Sequence, residues 1–441
     1  MTDTSPNAPA ARVATVARSL AVARREAALA AIMTGLTEPF MTPFALALGA
    51  SRFQVGLLSS ARHLVLSLVQ LWSADAVAWL SSRKRLVLWT VAAQAALWVP
   101  LAFVGPLLGS YAVAALIVLY TAVTASGALG APAWGSLIAE YLPPRARGRF
   151  LGRRAQTISL WMTVTGLAAG GLLELTANRP TIGFGLLCLA AGASRLWSLR
   201  QLAHFHEEPW QEAPHLRFSF WQFVRQVQRS NVARFSVCLG ALNFATHLAS
   251  PFFAVYMLQE LHYGYLVYTS VHLAASITGF LTSPGWGRLG DRLGSHAVLR
   301  STILGVSILP FLWTLSGHPA WTGFLSITGA FLWGGLNLAA TNFLYDAVTP
   351  AKRHTCLAYY SVINGSCVAL GAFVGGWAIN SLPPLGGSVF TTIFVASTVL
   401  RFVPAIAFRR LVREVRPTGA ASRALHPEAS GRLGARKVFS T

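Results

Sequence analysis

Charge is scarce in this chain, and negative charge is scarcest. Of 441 residues only 11% are charged, 14 of them acidic, while 54% are hydrophobic and the mean hydropathy is +0.53. That balance excludes every soluble globular class and leaves a polytopic membrane protein. The four cysteines, Cys188, Cys238, Cys356 and Cys367, show neither a disulfide framework nor paired metal spacing. There is no Gly-x-x-x-x-Gly-Lys phosphate loop, which argues against ATP-driven pumping. Nucleophile motifs, metal-ligand clusters and paired intramembrane aspartates are also missing, which argues against an intramembrane enzyme and against any cofactor. The amino terminus carries Asp3 and no short apolar segment with a cleavage site, so the first span is expected to be retained.

What is present is apolar sequence in lengths that match a bilayer. Runs fall near 26–49, 53–80, 85–105, 110–139, 155–175, 181–203, 232–260, 265–286, 297–317, 321–345, 357–381 and 387–408, each close to the ~20 residues a spanning helix needs. An all-α protein of twelve transmembrane helices is expected. The net charge of +21 would suggest nucleic acid in a soluble protein, but the basic residues cluster in alternate connections: Arg83 to Arg85, Arg145 to Arg154, Lys352 with Arg353, and Arg409 onward. Only Arg52 and Arg179 fall in the opposite loops. The positive-inside rule then puts both termini in the cytoplasm, with the chain in the inner (plasma) membrane and no role for nucleic acid. Residues 10 to 25 place Arg12, Thr15, Arg18 and Arg25 near one helical face and Val13, Val16 and Leu20 on the other, consistent with a basic surface helix or a mobile tail.

The stretch Pro284 to Leu299, PGWGRLGDRLGSHAVL, sits between two apolar runs and reads as a tight cytoplasmic turn. Gly287, Gly290 and Gly294 would permit close helix approach, and Asp291 and Arg292 supply opposite charges at the water boundary. This resembles the loop signature of the major facilitator superfamily of secondary transporters, Gly-x-x-x-Asp-Arg-x-Gly, matched by Gly287, Asp291, Arg292 and Gly294. The basic cluster usual just afterwards is replaced by Ser295, His296 and Ala297. The resemblance, over about residues 25 to 410, implies alternating access between two six-helix bundles. It also implies that Asp291 and Arg292 help lock the cytoplasmic side, with Asp346 the nearest partner for Arg292; a static surface ion pair is the alternative.

An internal repeat agrees. A shift of 212 residues brings Glu38-Pro39-Phe40 onto Ser250-Pro251-Phe252, and a shift of 206 superposes residues 136–147 on 342–353. Glu140 then meets Asp346 and Arg147 meets Arg353, making all four gate candidates. In the first half Asp75 and Trp79 fall where Gly287 and Asp291 stand, and only Arg83-Lys84-Arg85 persists, so the latch there is degraded. The expected organisation is a cytoplasmic tail (1–24), a six-helix bundle (25–203), a cytoplasmic linker (204–230), a second bundle (231–410) and a basic tail (411–441). Within the linker Phe220, Trp221, Phe223, Val224 and Val227 could form an amphipathic interfacial helix. The basic tail could bind anionic lipid or a partner.

Glu38 is the one acidic residue deep within a span. A carboxylate there is costly unless protonated or paired, so its default reading is functional. Counted from the outer turn near residues 49 to 53, Glu38 lies about 16 Å and Arg62 about 14 Å down adjacent helices, which makes them partners at similar depth. A pair that separates during a cycle suits proton handling, and a structural pair between helices one and two is the alternative. Pro39 and Pro251, matched by the repeat, each free a backbone carbonyl, and matched interruptions point to a transport site. His63, His247 and His272 could bind substrate or relay protons, or pack; Asn243, Asn337 and Asn364 could line the cavity or bridge helices. Gly166, Gly170 and Gly171 share their spacing with Gly371, Gly375 and Gly376, as close helix packing requires; the absence of a proline beside the first set weakens a multidrug-antiporter assignment. The expected function is transport of a small-molecule substrate by a monomer, with protons as coupling ion. Efflux of an amphipathic metabolite or drug is favoured over uptake of a sugar, organic acid or peptide. A receptor on the same scaffold is the reading from another class.

Overall fold

In the computed structural model, residues 8–142, 144–207, 230–348 and 350–414 are described. Among them the chain forms twelve long helical units: α1 (Ala8–Thr37, carried on to Ala47), α2 (Arg52–Val69, carried on to Leu80), α3 (Arg83–Ala102), α4 (Ala112–Glu140), α5 (Pro144–Leu175), α6 (Pro180–Ala203), α7 (Asn231–His247, carried on to Glu260), α8 (Tyr265–Leu293), α9 (Ser295–Leu312), α10 (Pro319–Ala347), α11 (Pro350–Ala378) and α12 (Val389–Leu411). Ten of these satisfy length and hydropathy for a membrane span. The remaining two, α1 and α8, carry the polar segments that the sequence singled out.

The even number of crossings places both chain ends on one face, here the termini face. Asn231 and Arg413 are hydrogen-bonded there, and His206 N–H donates to Ser19 Oγ. Helices α1 to α6 pack as one bundle and α7 to α12 as another. Between bundles the principal contacts are α2 with α11 and α5 with α8.

Where the apolar core runs continuously fixes the shape. At the far face one cluster is shared by both bundles and includes Phe40, Phe44, Val55 and Phe184 together with Leu248, Phe252, Tyr256 and Phe394. At the termini face the cores are separate: Val22, Val87, Leu137 and Phe205 in one, Phe235, Leu299, Phe343 and Phe408 in the other. Apolar burial, the main source of cohesion between packed side chains, therefore joins the bundles chiefly at the far face, with a further close approach lower down between Ser67 of α2 and Gly365 of α11. The molecule is closed at the far face and cleft from the termini side.

Three expectations are corrected. Residues 10 to 25 are not a separate surface helix but part of α1, with Val22 and Ala23 buried in the first bundle. The stretch 284–299 is not a tight turn: α8 runs to Leu293, and Gly294 alone, at φ +85°, separates it from α9. Nor do Gly287 and Gly290 mark close approach, since a Cβ at either would meet nothing within 4 Å. The linker helix at 220–227 and the tail beyond Glu414 lie outside the described residues.

Within the first bundle the Glu26 carboxylate pairs with Arg195 at 3.5 Å and Arg154 at 3.3 Å, and Arg195 also donates to Gln94 at 2.6 Å. Glu26 and Arg195 are both buried, so neither charge can recover its hydration when the other is removed. Glu26→Gln should lower stability by about 3 kcal/mol, read as a fall in the thermal midpoint in detergent, whereas Glu26→Gln with Arg195→Met should recover much of that loss.

Candidate functional site

The first span breaks where Pro39 enters it. Thr37 leaves helical geometry at φ −124° and Glu38–Phe40 form a single 3-10 turn, because the proline cannot supply the next helical hydrogen bond. The seventh span breaks at the matched place: α7 halts at His247 and helix resumes at Phe252 after Pro251. Both interruptions lie in the zone where the bundles meet.

Glu38, freed from regular helix by this turn, is salt-bridged to Arg62 on α2. The Arg62 guanidinium also lies over an aromatic face, 5.9 Å from the Tyr120 ring centre on α4. Next in sequence, His63 meets His247 of the other bundle with ring centres 5.0 Å apart, edge to face. On α8, Tyr268 donates its hydroxyl to the Pro39 carbonyl at 2.7 Å, and His272 stacks beside Tyr268 within the field of Glu38. Five helices, α1, α2, α4, α7 and α8, thus bring titratable groups to one place. The Glu38 side chain keeps 39% of its surface exposed and Arg62 27%, so the pair opens onto the cleft rather than into packed core.

Above this cluster the far face is sealed. A Cβ at Gly56 would come within 2.6 Å of the Gly376 Cα, so α2 and α11 touch backbone to backbone. Phe53 meets Phe373, Arg52 lies over Phe390, and Phe40 meets Tyr268. A Cβ on Gly166 would meet Leu273, and one on Gly170 would meet Thr269, both on α8. The small residues of α5 thus face the opposite bundle, and Gly371 and Gly375 instead receive α7 at the Phe244 and Leu248 carbonyls.

Of the remaining candidates, Asn243 and Asn364 are hydrogen-bonded to each other at 2.7 Å within the second bundle. Asn337 is exposed on α10. Asp291 and Arg292 lie exposed at the termini end of α8, and Asp346 is exposed at the matching end of α10. Glu140 pairs with Arg83 at 2.7 Å; the side chains of Arg147 and Arg353 lie outside the described residues. Arg83 reaches Glu207 as well, at 3.5 Å. The Glu207 carboxylate also accepts from Ser82 and from the backbone N–H groups of Arg83 and Lys84, capping α3. A basic hollow of about 680 Å3 beside Lys84, Arg85 and His206 is floored by this cap and lies at the termini face, away from the charged cluster.

Two features were missed from sequence. Arg195 and Arg401 fall on each other in the 206 shift, and both are buried. Arg195 has Glu26, whereas Arg401 is held by the Val306 carbonyl at 2.7 Å and Ser397 at 3.2 Å. The register itself was the signal. The second is Glu174, whose carboxylate crosses between bundles to accept from the Leu266 N–H at 3.1 Å, at the start of α8. Gly264 precedes that helix with no side chain to cap it, so the other bundle supplies the acceptor. Glu174→Ala should cost the closed far face about 1 kcal/mol. A cysteine introduced at Ala50, inside the seal, should then react roughly fivefold faster with an impermeant maleimide, the rate equivalent of that energy.

The Major Facilitator Superfamily model matches residues 235–440. Among solved structures, the nucleoside transporter NupG shares 14% identity and aligns over 89% of this chain and 98% of its own at a TM-score of 0.69. A D-xylose-proton symporter shares 13% over 90% and 98%, TM-score 0.67, and the human organic anion transporter MFSD10 shares 16% over 89% and 99%, TM-score 0.60. No curated protein sequence matches the chain. The Major Facilitator Superfamily model thus matches the second half of the chain, and the fold of these solved transporters extends over the whole of it.

Proposed function

We propose that this protein moves a small polar solute across the membrane by alternating access, with Glu38 carrying the coupling proton. The observation that carries the reading is the Glu38–Arg62 pair, set at matched helix breaks, open to the cleft and beneath a sealed face. Ionisable groups at that depth are costly and usually face a transport path. On the topology expected from the basic loops the termini face is cytoplasmic, and the conformation described is then inward-open, in the cytoplasmic membrane, with a complete site in each monomer.

The charged roof of the cleft bears on the substrate class. Efflux of an amphipathic metabolite, favoured by composition, would be served by an apolar roof. Groups of both signs, imidazoles and phenol hydroxyls suit instead a hydroxylated or ionised solute, the class of the alternative uptake reading. Proteins of the same fold described as a nucleoside transporter and a D-xylose-proton symporter handle such solutes. In this reading Arg62 holds the ionised Glu38, and either a proton on the carboxyl or an anionic group on the solute can release one member of the pair from the other. The residues so placed bind and orient solute and hold a proton at the Glu38 carboxylate; no covalent step is involved.

The reading is tested in proteoliposomes under an imposed pH gradient, screening nucleosides, sugars, organic acids and peptides. A solute should drive proton movement in the wild type, and Glu38→Gln should abolish that movement while leaving solute exchange within about tenfold of normal. Equal proton-linked flux in both proteins would remove Glu38 from coupling. Ligand binding with no flux of any solute would favour a receptor on this scaffold.

A further inference from the structure

At the cleft roof an imidazole from each bundle meets the other. His63 sits on α2, one residue from Arg62; His247 is the last residue of α7 before its break. Their rings meet edge to face at 5.0 Å between centres, and His247 Nδ1 is buried with no hydrogen-bond partner among the described residues. Buried polar atoms are nearly always satisfied in folded proteins, and exceptions call for an explanation.

The surroundings of the pair are lopsided in charge. From α2 comes Arg62 and from α12 comes Arg401, and the fields of both reach His247. From α1 comes Glu38, already salt-bridged to Arg62, and its field extends to His63 and, on α8, to His272. Tyr120 of α4 lies on Arg62, and Tyr268 of α8 is committed to the Pro39 carbonyl. From Tyr360 to Ala378, α11 brings no charged side chain, only Cys367. A single carboxylate thus serves two guanidinium groups around two imidazoles, and Arg401 has no carboxylate of its own among the described ion pairs.

We propose that the His63–His247 contact is a proton-sensitive strut: neutral rings hold the bundles together at the roof, and their protonation parts them and opens the far face. Like charges at this spacing repel strongly where water is excluded. The positive groups on either side leave the added charge uncompensated. The unfilled Nδ1 of His247 supplies a place for a proton to arrive, and because Arg62 adjoins His63, the state of the Glu38–Arg62 pair is transmitted to the strut within one turn of α2. The proposal rests on the alternating-access reading, and it adds what controls which face is open.

The test uses full-length protein with its four cysteines replaced and nitroxide labels at two far-face positions, Ser110→Cys and Gly386→Cys. Spin–spin distances are recorded without solute at pH 8 and pH 5. Acidification should increase the separated population at least fivefold in the histidine-intact protein, and His247→Gln and His63→Gln should each reduce that response to less than twofold. Should one variant fail to fold, the other carries the test. The proposal is overturned if the histidine-intact protein shows no response, if acid draws the labels together, or if either folded variant responds as the histidine-intact protein does. Proton-linked flux through Glu38 is read separately in liposomes, so loss of one conclusion leaves the other standing.

Discussion

A charge inside the bilayer has to be matched within the protein, and much of this structure follows from that constraint. Glu26 is matched by Arg195 and Arg154 inside the first bundle, and Glu38 by Arg62 at the cleft roof. Glu174 is matched by the open start of α8, and Arg401 by a carbonyl and a hydroxyl. The locations differ in what they permit. The Glu26 pair is buried and serves cohesion; the Glu38 pair remains solvent-accessible, which leaves it free to exchange partners.

The same constraint explains why the two halves are alike in helix order yet unlike in chemistry. Both keep an interrupted first helix and a buried arginine in the sixth. The carboxylates at Glu26 and Glu38 have no counterpart in the second half: the 212 shift puts Ser250 opposite Glu38 and Cys238 opposite Glu26. At these two positions the second half therefore presents neutral groups where the first half holds carboxylates. The seam between them at the far face is made by apolar burial and by glycine contacts such as Gly56 with Gly376, which exclude side chains altogether.

Sequence reading was most successful where one residue type at one depth has few uses. The all-helical fold and the repeat follow from apolar run lengths and from registers visible by eye. The Glu38–Arg62 pairing followed from counting both residues down from a shared turn, and the structure brings the two together. Reading fared worst at glycines, which serve either as close contacts or as ordinary helix positions with nothing nearby. Gly376 is the first kind and Gly287 and Gly290 the second, and only the helix path, which continues through 293, separates the cases. Glu174 and the histidine pair were not legible as contacts because they depend on how two bundles face each other, and no local pattern encodes that.

The central claim is that solute passes only when the sealed far face parts. Phe53 and Phe373 face each other across that seal with ring centres 5.9 Å apart, so cysteines at both positions can be bridged by a short bifunctional methanethiosulfonate. With a transported solute in hand, the account predicts that cross-linking Phe53→Cys to Phe373→Cys stops net flux, that reduction restores it, and that solute still binds from the termini side while the link is intact. Flux that continues at its normal rate through the cross-linked protein would contradict the account.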